Sequence, residues 1–210
     1  MKFTPLLCLI PLLTLPLAAQ ETAEKAREMT TNLEKIENLI DKTVKELKEA
    51  VKQLNRIATE ADKPRDAFED FTDQLSDYKN VQSTLAERID HFRGIADERF
   101  KDWEADLAKM QGELKSISQS RLDKAKKEYS EVDKKVRTIG AKLTKAVDKL
   151  QEVQTYFTTE LNAASIQAAD KVTAAAKKSA EEVTQALQDM RADYTKLKAD
   201  TSETTARSKE

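Results

Sequence analysis

Between residues 29 and 58 the apolar side chains fall at Met29, Leu33, Ile36, Ile40, Val44, Leu47, Val51, Leu54 and Ala58. The steps alternate between three and four, with one additional four between Ile40 and Val44, which is the repeat of an amphipathic helix carrying a local stutter. The face opposite is charged, with Glu34, Lys35, Glu37, Asp41 and Lys42. The stripe stops in TEADKPRDAFEDF, residues 59–71. Proline suits a first helical turn and aspartate a cap, so one helix is expected to end near Thr59 to Ala61 and the next to begin near Pro64.

The second stripe runs through Phe68, Phe71, Leu75, Tyr78, Leu85, Ile89, Phe92, Ala96, Phe100, Trp103, Leu107 and Met110, with Gln82 as its polar exception and Gly94 inside it. A softer break follows in MQGELKSISQSRL, residues 110–122, where Gly112 and the serines 116, 118 and 120 mark a loop or a cap. The repeat resumes at Leu122, Ala125, Tyr129, Val132, Val136, Ile139, Leu143, Val147 and Leu150 and continues through Phe157 and Leu161. Asn162 and Ser165 interrupt it before Ala168, Val172, Ala176, Ala180, Val183, Leu187, Met190, Tyr194 and Leu197. No stretch alternates with period two, so no strand is expected.

These breaks define four helical segments, 22–61, 64–111, 118–161 and 164–199, each roughly 55 to 70 Å long at ~1.5 Å per residue. Matched lengths and short connections predict an all-α fold, an elongated antiparallel helical bundle with a coiled-coil core of heptads, forming one domain over 20–200. Asn162 is the weakest joint. Without a turn there, residues 118–199 would form a single helix on the order of 120 Å long. The final TSETTARSKE has no apolar pattern, and residues 201–210 are expected to be a disordered tail.

Composition agrees with long helices, since only 3 glycines and 4 prolines are present while 35% of residues are charged. Three of the prolines (Pro5, Pro11, Pro16) interrupt the apolar run from Phe3 to Ala19, which is also short of the ~20 residues a membrane-spanning helix needs. With Lys2 before it and Leu17-Ala18-Ala19 at its end, the run reads as a signal peptide over 1–19, cleaved after Ala19. The expected destination is the periplasm or cell envelope. Cys8 sits within the apolar run and not at the cut, so it is not a lipid attachment site, and the mature chain would contain no cysteine.

Removing residues 1–19 takes away Lys2 and no acid, so the formal charge moves from −2 to −3. With Lys and Arg interleaved among Asp and Glu, no nucleic-acid partner is expected. Catalysis finds few candidates. His91 is the only histidine, Asp97–Glu98 and Glu181–Glu182 are sequence neighbours that diverge by about 100° on a helix, and no Glu-x-x-His motif occurs. No catalytic, cofactor-binding or metal-ligating residue is assigned, and an enzyme is not expected. Six of the eleven aromatics (Phe68, Phe71, Tyr78, Phe92, Phe100, Trp103) lie in the second segment, where they would either fill the core or line an exposed partner groove.

FKDWEADLAKM at 100–110, KKEY at 126–129 and FTTELNAASIQAA at 157–169 follow one another in an order and spacing that resembles a bacterial family of secreted helical proteins catalogued as domain of unknown function two-nine-five-nine. Phe100, Trp103, Leu107, Tyr129, Leu161, Asn162, Ala163 and Ile166 carry the likeness. The resemblance implies an all-helical secreted protein and brings no activity. The residues themselves favour a non-enzymatic scaffold, spacer or protein-binding coiled coil that meets a protein partner or its own copies through coiled-coil faces. The alternative is a lipid-handling or membrane-surface protein whose amphipathic helices open onto a bilayer; the mixed-sign polar faces and narrow stripes weigh against it.

Overall fold

The computed structural model describes residues 19–60 and 63–207, with side chains at 28, 31–60 and 63–192. The expected signal peptide lies outside the described residues except for Ala19. The chain is an all-α helical bundle of five helices, α1 (Ala19–Thr59), α2 (Pro64–Lys109), α3 (Gly112–Thr159), α4 (Ala163–Ala168) and α5 (Asp170–Arg207), with no strand among the described residues.

Each turn has a local cause. At the first, Lys63 N–H donates to the Glu60 carbonyl at 3.1 Å and Pro64 opens α2, as its missing N–H and fixed φ favour. Arg56 fastens this corner: its guanidinium donates to both carboxylate oxygens of Glu60 at 2.8 and 2.9 Å and to Asp70 of α2 at 2.6 Å. At the second, Gly112 adopts a φ of +68°, a left-handed backbone that glycine enters without strain and that reverses the chain within two residues. The third segment therefore begins at Gly112 and not at 118. Serine disfavours a helix interior only by a fraction of a kcal/mol, too little to hold residues 112–117 out of it.

At the third turn Asn162 closes a capping box, its Oδ1 accepting from the N–H of Ala164 at 2.9 Å and of Ser165 at 3.0 Å, while Ser165 Oγ accepts from the Asn162 N–H at 2.9 Å. Residues 118–199 are thus not one helix. Ala169 breaks the last segment into α4 and α5 by a single turn residue, yet its N–H still reaches the Ser165 carbonyl at 2.9 Å. α5 continues to Arg207, and within the expected tail at 201–210 only 208–210 lie outside the described residues.

The bundle divides into two compact units, and every long helix contributes to both. The first, here the ionic unit, comprises among the described residues 19–37, 87–136 and 191–207. In it α2 and α3 run antiparallel: Arg93 meets Asp133, Phe100 meets Tyr129, Glu104 meets Lys126 and Trp103 meets Ser118, one number falling broadly as the other rises. Its buried apolar residues include Ile36, Phe92, Phe100, Trp103, Leu107 and Leu122, accompanied by buried Asn32 and Arg99. Arg93 Nε donates to Asp133 Oδ1 at 2.6 Å and also pairs with Asp90. Burial works to lower the Arg93 pKa, but the bonds to Asp133 and Asp90 outweigh it and hold the guanidinium above its usual value.

The second, the apolar unit, comprises 38–86 and 137–190. Ile40, Leu47, Leu54 and Ile57 of α1, Phe71, Leu75, Tyr78 and Leu85 of α2, Leu150, Val153 and Phe157 of α3, and Val183 and Leu187 of α5 are buried in it. The Phe68 ring stands edge-on to Phe157, centroids 6.3 Å apart. From Ala169 and from α5 the buried side chains at 169, 173, 176, 179 and 180 are Ala, Thr, Ala, Ser and Ala, small groups that suit close helix approach. The Tyr78 hydroxyl is buried without a hydrogen-bond partner, and burial drives its pKa upward.

The inward faces differ from the expected stripes by one residue in places. Thr43, not Val44, is fully buried on α1, and Ile57, not Ala58. Val81 replaces the polar exception at Gln82, and Ala169 and Thr173 replace Ala168 and Val172. With Thr43 inside, the positions of α1 at 0 or 1% exposure from Ile36 to Ile57 step regularly by four and three, and the stutter disappears. Three-four spacing is required of any helix with one buried side, so it does not by itself distinguish a coiled coil from other helix packing.

Candidate interaction surface

His91 is exposed, as are Asp97, Glu98, Glu181 and Glu182. Helix geometry turns these carboxylates outward. Among the described residues no group of three or more His, Cys, Asp or Glu is placed to hold a metal ion.

The aromatics of α2 divide as the core reading expects. Phe71 and Tyr78 are 0% exposed, Trp103 2%, and Phe92 and Phe100 6%, so they do not line an open groove. Trp103 also shows what serine does here, its indole Nε1–H donating to Ser118 Oγ at 3.0 Å. A buried indole needs an acceptor. The serine cluster, read from sequence only as a break, contains it.

Outside the core, charge is partitioned by helix. Counted over their spans, α2 holds 12 acidic against 7 basic residues and α3 holds 11 basic against 7 acidic. The interleaving read along the chain thus averages over an acidic helix and a basic one. In the ionic unit the two meet through Arg93–Asp133 and Lys126–Glu104, the latter at 2.6 Å beside a Lys126 ammonium 5.8 Å from the Phe100 ring centre.

The start of α3 is where apolar side chains reach solvent. Leu114 is 74% exposed and Ile117 49%, and from Gln111 to Arg121 every residue except Ser118 is exposed. On the same turns Gly112, Lys115, Ser116, Gln119, Ser120 and Asp123 line a groove of about 520 Å³ that is open to solvent. Neither Leu114 nor Ile117 belongs to the apolar stripe read from sequence. Their spacing of three is equally that of a buried stripe, so no local signal marks them as exposed.

A family model described as Protein of unknown function (DUF2959) matches residues 18–199. No curated protein and no solved structure matches the chain.

Proposed function

Because the chain belongs to this DUF2959 family, which brings no activity with it, we propose from its own residues that it is a non-enzymatic scaffold or spacer of the cell envelope. It binds a protein partner, or further copies of itself, through the outer faces of its helices. The observation that carries this reading is the inward turn of the apolar and aromatic stripes, which leaves long charged helix faces as the surface offered to a partner. Export rests on the leader at 1–19.

The absence of cysteine after residue 19 makes the test direct, because one introduced thiol is then the only one in the mature chain. Asp97→Cys on α2 or Lys127→Cys on α3, carrying a thiol-attached photo-cross-linker in envelope fractions of native cells, should give a discrete adduct of defined mass. Edman sequencing of the recovered protein should begin at Gln20. A chain retaining Met1 in the cytosolic fraction, or no adduct from either face, would overturn the proposal.

A second reading, a membrane-surface protein, is favoured by one observation: Leu114 and Ile117 stand exposed together at one turn.

A further inference from the structure

We draw no further inference here: the strongest candidate, the surface patch of Leu114 and Ile117 at the start of α3, is flanked by balanced charge, Glu113 and Asp123 against Lys115 and Arg121, and nothing in the structure shows what covers it.

Discussion

The two units of the bundle are built from the same four long helices and held in different ways. Of the ten largest side chains below 2% exposure, eight lie in the apolar unit, and only Trp103 and Ile36 lie in the ionic one. There, among the described residues, the interior contacts are directional: Arg88 donates to Asn32 at 3.3 Å, Arg93 to Asp133, and Trp103 to Ser118. Apolar burial is strong and indifferent to sliding by a turn, whereas an ion pair or an indole hydrogen bond is satisfied at one alignment only. The comparison teaches that one stretch of the helices supplies cohesion while the other selects the register in which α2 meets α3.

The largest test of that contrast is Phe71→Ala in the apolar unit. It should destabilise the protein by about 3 to 5 kcal/mol in urea unfolding, with Phe92→Ala toward the lower end because that ring is already 6% exposed. Equal losses would erase the distinction between the units.

Next in size is Arg93→Met. With side-chain exposures of only 23% and 19%, the Arg93–Asp133 pair is shielded enough that removing the guanidinium from Asp133 should cost about 2 kcal/mol. The double variant Arg93→Met, Asp133→Leu should recover most of this. If the pair sets register, the recovered protein should melt more broadly or give heterogeneous amide resonances, and a sharp melt with a single set of resonances would remove the register argument.

Ser118→Ala should cost about 1 kcal/mol through the orphaned indole N–H. Trp103 should nonetheless remain shielded from iodide, since its ring stays 2% exposed.

The smallest effect is expected at Tyr78, the polar intruder in the apolar unit. Its hydroxyl has no partner, so Tyr78→Phe should be neutral or stabilising by up to about 1 kcal/mol. The pH dependence has a definite sign. Burial raises the folded-state pKa above the unfolded value of about 10, so the contribution from this phenol is complete below about pH 10 and is lost as pH rises beyond it. Melts compared at about pH 8 and about pH 11 should show a larger alkaline loss in the parent than in Tyr78→Phe.

Helix content and the breaks at Pro64 and Asn162 follow from the sequence, because periodicity and caps are local properties, whereas the inward turn of the aromatics is decided by burial. A helix face spans more than 100°, however, so an apolar pattern locates its centre only to within a residue. Thr43 is buried in place of Val44 because its Oγ1 donates to the Leu39 carbonyl at 2.7 Å and its methyl can then face the core. Asn32 is accommodated in the same way, through the Glu28 carbonyl at 2.9 Å and Arg88 across the interface. Pattern reading scores such residues as polar and passes over them. Neither the pairing of Trp103 with Ser118 nor the exposure of Leu114 could be read from residues considered one helix at a time. Both depend on where a neighbouring helix lies, and that is set by how all the buried faces fit together, which only the tertiary structure decides.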